Sequence, residues 1–119
     1  MDEQAVREHA QAYCDALLAG DIGRAAEEMS RELRSNLGPI VAMLPMPLTE
    51  ASIESVQMTR SGFLAELRLV GEGTVRLETR WKNRDDRPTI VEVSRVHEEP
   101  APVEVEGEGE GEGRAVDQG

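Results

Sequence analysis

Apolar positions recur at helical spacing over residues 3–44 and alternate at strand spacing over residues 63–97. Helices followed by a meander of strands predict an α+β domain, with N-terminal helices packed on a curved antiparallel sheet of three to four strands. Asp2 is a suitable N-cap for the first helix and Gly20 a suitable stop. Between them Val6, Ala10, Tyr13 and Leu17, with Cys14 and Ala16, form one apolar stripe. Asp21 caps a second helix that buries Ile22, Ala25, Ala26 and Met29, and Ser30 caps a third piece holding Leu33 and Leu37. Gly38-Pro39 should interrupt that piece, with Pro39 at a first helical position restarting a short turn through Ile40, Val41 and Leu44. Pro45 and Pro47 end the helical half.

The strands read more sharply. Phe63, Ala65, Leu67 and Leu69 share one face of one strand, and Val75, Leu77, Thr79 and Trp81 share one face of the next. Gly71-Glu72-Gly73 suits a three-residue hairpin loop with a glycine in the left-handed region. Closing it between Val70 and Thr74 pairs Phe63 with Trp81, and a slip of one residue would set apolar against charged side chains throughout. This register also places Arg68 opposite Arg76 and Glu66 opposite Glu78, leaving diagonal neighbours to supply opposite charges. Asn83 to Pro88 reads as a polar turn before a last strand over 89–97, and residues 52–59 as a weakly patterned extra strand. The facing of the last strand is ambiguous. One phase turns Ile90, Glu92, Ser94 and Val96 inward, the other Val91, Val93, Arg95 and His97.

Composition narrows the function classes. With 119 residues and one cysteine, the chain can bury a core but form no internal disulfide, as suits a cytoplasmic protein. Its start carries acids and no apolar run, and no segment reaches the roughly 20 apolar residues of a membrane span. Of the net charge of -11, -7 falls in residues 98–119. That acidity disfavours nucleic acid as a partner. The same segment is Pro, Glu and Gly with little to bury, so residues 1–97 read as the domain and 98–119 as a disordered acidic tail. The Glu-Gly repeat lacks the fixed geometry of a calcium loop. His9 and His97 have no second ligand at metal spacing and read as surface histidines; no metal or cofactor is expected.

The stretch Tyr13-Cys-Asp-Ala-Leu-Leu-Ala-Gly-Asp-Ile-Gly-Arg-Ala-Ala-Glu-Glu-Met29 resembles the opening of the nuclear transport factor 2-like (SnoaL-like) superfamily. An aromatic near the end of a first helix, a Gly-Asp hinge and a second helix with paired alanines carry the likeness. The meander with Trp81, an Asp-rich turn and Ile90-Val91 is similar to that superfamily's closing strands. The resemblance spans residues 3–97 and implies a cystatin-like cone. It further implies a pocket for a small apolar ligand and a homodimer across the outer sheet face. The chain departs from the catalytic members in placing only Tyr13, among Asp, His and Tyr, at an inward position of its helical half. It is also short and poor in aromatics, which implies a small or filled pocket.

On that cone, Tyr13, Leu17, Met29, Phe63, Thr79 and Trp81 are the candidate pocket residues, and Glu92 the candidate base if its phase faces inward near Thr79. Tyr13 would orient a ligand oxygen; its plainer role is a half-buried tyrosine with its hydroxyl satisfied locally. Cys14, on the apolar stripe without a neighbouring histidine, reads as filler. Three functions follow. The first is a non-catalytic ligand-binding or dimerising module. The second is a cofactor-independent isomerase or cyclase using Glu92 as base and Tyr13 as donor. The third is an interaction module whose tail residues Glu104 to Glu112 lie across Arg68, Arg76, Arg80 and Arg95.

Overall fold

The computed structural model describes residues 1–96; His97 and the acidic tail predicted over 98–119 lie outside the described residues. Among the described residues four helices, α1 (Glu3–Leu18), α2 (Ile22–Ala26), α3 (Arg31–Arg34) and α4 (Leu37–Ala42), precede four strands, β1 (Glu50–Met58), β2 (Phe63–Val70), β3 (Thr74–Arg84) and β4 (Arg87–Arg95). The strands form one antiparallel meander in chain order, with α1 packed mainly over β1. No helix among the described residues is long and apolar enough to cross a membrane.

The caps act where the sequence places them. Asp2, Asp21 and Ser30 each accept a hydrogen bond from a backbone N–H in the first turn they cap. Gly20 takes φ 76°, and the N–H groups of Gly20 and Asp21 return to the carbonyls of Leu17 and Ala16. These two bonds close a Schellman motif, so α1 ends and α2 begins without a loop. The break after Ser30 falls elsewhere than predicted. It comes at Ser35-Asn36, and α4 runs through Gly38 with Pro39 as its third residue. A first-turn proline has no N–H that the helix needs, so the helix can begin before it.

The β2–β3 register is the one read from the sequence, with Phe63 opposite Trp81, Leu67 opposite Leu77 and Leu69 opposite Val75. The loop between them holds three residues, yet neither of its glycines occupies the left-handed region. Gly71 serves another purpose: a Cβ there would collide with the backbone carbonyls of Pro45 and Pro47, which lie against the loop. The turn before β4 is tighter than predicted, with Arg84 opposite Arg87 and only Asp85 and Asp86 between them. Both aspartates have positive φ, 53° and 62°, the signature of a type I′ hairpin turn.

Two bulges explain the weak patterns. In β1 the register shifts between Ile53 and Ser55, so that Ile53 opposes Leu67 and Val56 opposes Ala65. In β4 it shifts beside Arg80/Trp81, so that Ile90 opposes Trp81 and Val93 opposes Thr79. Each facing predicted for the last strand therefore holds on one side of the bulge. The strand occupies 87–95 rather than 89–97 because the tight turn lets pairing start at Arg87.

One buried cluster fills the space between layers, joining Val6, Ala10, Tyr13, Cys14 and Leu17 of α1 to Leu67, Leu69, Leu77, Trp81 and Ile90 of the sheet. Inside it the Trp81 indole donates to the Thr79 hydroxyl (2.8 Å), which donates to the Ala65 carbonyl (3.0 Å). That chain satisfies both buried polar groups. The exposed edge of β4 is covered as well. Met29 forms a parallel bridge with Ile90, the Ile90 N–H donating to the Glu28 carbonyl (2.7 Å) and the Ser30 N–H to the Ile90 carbonyl (2.8 Å).

The turn is open to a direct test. Glycine has no Cβ to strain at positive φ, so Asp86→Gly should raise unfolding stability by about 0.5–1 kcal/mol, and Asp86→Ala should lower it by a similar amount. Urea unfolding of both variants measures this, and a destabilised glycine variant contradicts the turn assignment.

Candidate functional site at the helix–hairpin junction

The predicted pocket residues do meet, as packing rather than as a lining. Tyr13, Leu17, Met29, Phe63, Thr79 and Trp81 are all buried, and all but Thr79 belong to the hydrophobic core cluster. Tyr13 is wholly buried, and its hydroxyl has no hydrogen-bond partner among the described residues. Burial, with a smaller contribution from Cys14, raises the Tyr13 phenol far above its ordinary value. The Cys14 thiol is pushed up to about 12 by burial and by the Asp15 charge, so it is an inert thiol.

Glu92 does not face the interior between the helices and the sheet. The β4 bulge turns it to the outer face opposite Arg80, where its carboxylate is exposed and accepts from Arg80 Nε at 3.1 Å. Arg68 and Arg76 also reach sideways, Arg68 to Glu50 (3.5 Å) and Arg76 to Glu54 (3.9 Å). Neighbouring strands thus supply the opposite charges predicted from the diagonals of the β2–β3 pair.

The polar centre of the molecule is a residue the sequence did not single out. Glu28 is 1% exposed, and its carboxylate gathers three donors. His9 Nδ1 from α1 lies 2.7 Å from Oε1, and Arg87 from β4 donates to the same oxygen at 3.2 Å. Arg24 from α2 donates to Oε2 at 2.9 Å. Burial pushes the Glu28 carboxyl up, but the hydrogen bonds from Arg24 and His9 and the charge of Arg87 outweigh it, and the group lies below the usual carboxylate range. His9 is accordingly no isolated surface histidine; its ring is held against Glu28 and 30% exposed.

Two depressions flank this centre and share Glu27 and Arg87. One, of about 340 Å³, is lined by Glu8, His9, Ala12, Arg24 and Glu28. The other, of about 420 Å³, lies between α3 and the β3–β4 turn, lined by Arg31, Glu32, Arg34, Arg84, Asp85 and Thr89 with Met29 and Ser30 beneath. The whole junction is a polar groove with charge of both signs. Its members come from α1, α2, α3 and the last hairpin, at sequence separations of 19 for His9–Glu28 and 59 for Glu28–Arg87. No helical or strand period connects positions so far apart. The one local signal was the Arg24–Glu28 spacing of four on a helix. Among the described residues no group of three or more His, Cys, Asp or Glu is arranged to hold a metal ion.

No protein-family model and no curated protein matches this chain.

Two predictions follow from these groups. Glu28 titrates below an unfolded-state glutamate, so its contribution is fully present above about pH 4.3 and is lost as pH falls through its depressed folded value. Glu28→Gln should cost about 2 kcal/mol at neutral pH, and the stability curves of variant and parent should converge in acid. Parallel curves from pH 6 down to about pH 3 contradict the ionic role of Glu28. At Tyr13 the sign reverses. Removing an unpartnered buried hydroxyl should leave stability unchanged or raise it by about 1 kcal/mol, so Tyr13→Phe measured by denaturant unfolding should not be destabilised.

Proposed function

We propose that the chain is a non-catalytic module of the nuclear transport factor 2-like type, which acts by presenting its outer sheet face to a second copy of itself. The observation that carries this reading is the occupied interior. The side chains expected to line a pocket pack on one another, and the one carboxylate expected to serve as base lies on the outer face in solvent. An acid–base enzyme needs its base within reach of a bound substrate, and a base at Glu92 would face water beside Arg80.

The outer face supports the reading. Its helix-free side carries the half-buried Leu64 and Val70, with Glu66 and Arg68 between them on β2 and Arg76, Glu78 and Arg80 on β3. A face with acids and bases interleaved is self-complementary under a two-fold axis, the symmetry of most dimers. The tail reading is less favoured, since Arg68, Arg76 and Arg80 already have carboxylate partners on the sheet.

Sedimentation equilibrium of the full chain tests the proposal. A reversible dimer is expected, and Leu64→Asp, which places an acid on that face beyond the core, should shift it to monomer without changing the circular dichroism. A parent chain that stays monomeric at high micromolar concentration overturns it.

A further inference from the structure

We infer that the groove between α3 and the last hairpin is a binding site for a phosphoryl-bearing, non-aromatic small molecule, recognised by Arg31, Arg34 and Arg84 beside Arg87. The starting observation is where the chain leaves guanidinium groups uncommitted. Among the described residues Arg7, Arg24, Arg68, Arg76, Arg80 and Arg87 each pair with a carboxylate, whereas Arg31, Arg34, Arg60, Arg84 and Arg95 have no such partner. Three of those five, Arg31, Arg34 and Arg84, line one groove. In a chain of net charge -11, this concentration of unused positive charge in one depression is the exception.

Two features of the backbone bring like charges together there. Arg84 and Arg87 stand directly opposite each other across a two-residue turn, an arrangement that is destabilising in a hairpin unless something offsets it. Glu28 engages Arg87, whereas Arg84 forms no ion pair among the described residues and feels only the nearby charge of Glu32. Arg31 and Arg34 stand one helical turn apart on α3, again like beside like. Two elements from distant parts of the chain thus each face the same groove with a repulsive pair. A bound anion would relieve both at once.

The lining selects the kind of anion. Guanidinium groups that come from a helix and from a hairpin approach from different directions, which suits a tetrahedral phosphoryl group with three acceptor oxygens better than a planar carboxylate. None of the lining residues is aromatic, so no platform is present for a nucleobase. At about 420 Å³ the groove has room for a sugar phosphate or a short polyphosphate. Three acids also line it. Glu27 is drawn toward Arg24 (3.6 Å), and Asp85 sits at the turn tip. Glu32 is held ionised by a backbone N–H, with Ser30, Arg84 and Arg31 adding to it. These acids set a limit on affinity, and a doubly charged ligand is needed to compete with Glu32 for Arg31 and Arg84.

The test uses the full chain, isotopically labelled, titrated with inorganic pyrophosphate and separately with succinate at constant ionic strength while backbone amide resonances are followed. Saturable shifts confined to residues 27–34 and 84–89, with pyrophosphate binding more tightly than succinate, are expected. Arg31→Gln and Arg84→Gln should each weaken pyrophosphate about tenfold, the factor carried by one charge-assisted hydrogen bond. Arg60→Gln, an exposed arginine outside the groove that likewise has no carboxylate partner among the described residues, should leave it unchanged. Shifts that fail to saturate, or an equal loss in Arg60→Gln, overturn the site. Succinate binding as tightly as pyrophosphate overturns the phosphoryl assignment.

Discussion

The buried Glu28 carboxylate, on a segment paired through its backbone to Ile90, is the constraint on which the arrangement of helices and sheet depends. Hydrophobic contact between α1 and the sheet is strong but tolerant of sliding, because apolar surfaces are not directional. The two backbone bonds around Ile90 are directional, and they fix where the chain after α2 meets the edge of β4. Once that is fixed, Glu28 must point into the junction, and a carboxylate taken out of water needs donors. His9, Arg24 and Arg87 provide them from three separate elements, so the ion cluster holds α1, α2 and the last hairpin in a single relation. A cluster of this kind adds less to stability than its contacts suggest, because desolvation offsets much of the attraction. What it supplies is uniqueness of arrangement.

Much of the fold was legible in local chemistry. Asp2, Gly20, Asp21 and Ser30 act through bonds to residues within five positions, and such signals survive without knowledge of the tertiary structure. The β2–β3 register was legible because both strands alternate without interruption and only one pairing buries Phe63, Leu67, Leu77 and Trp81 together. Where a strand carries an extra residue, alternation changes phase midway and the pattern weakens. Ile53 and Val56 in β1, and Ile90 and Val93 in β4, are three apart for that reason. The candidate base at Glu92 was a casualty of the same effect. A single phase drawn through Ile90 sends Glu92 inward, and one bulge between them sends it out.

The Glu28 junction was illegible for a different reason. His9, Glu28 and Arg87 are individually ordinary charged residues, and nothing in their spacing separates them from the solvent-facing charges of a -11 chain. Their meaning comes from the parallel bridge at Met29, a contact between a segment outside any named strand and the last strand of the sheet. Buried polar clusters built across long sequence separations leave no periodic trace, whereas an apolar stripe on a helix does.

These two kinds of legibility divide the molecule into a plain interior and a charged exterior. The core is aliphatic around Tyr13, Phe63 and Trp81, and the polar chain within it from Trp81 to Thr79 to Ala65 is satisfied internally. Three arginines with no carboxylate partner among the described residues, Arg31, Arg34 and Arg84, sit at the rim of the helix–hairpin junction, where Arg87 belongs to both depressions. Arg87 holds Glu28 and also stands across the turn from Arg84, so whatever occupies the groove on the Arg84 side acts on the group that secures Glu28. Binding to the folded state alone stabilises it by mass action. Here that stabilisation would pass through the residue joining the sheet to the helices, which makes the firmness of the interlayer contact and occupancy of the groove one coupled property.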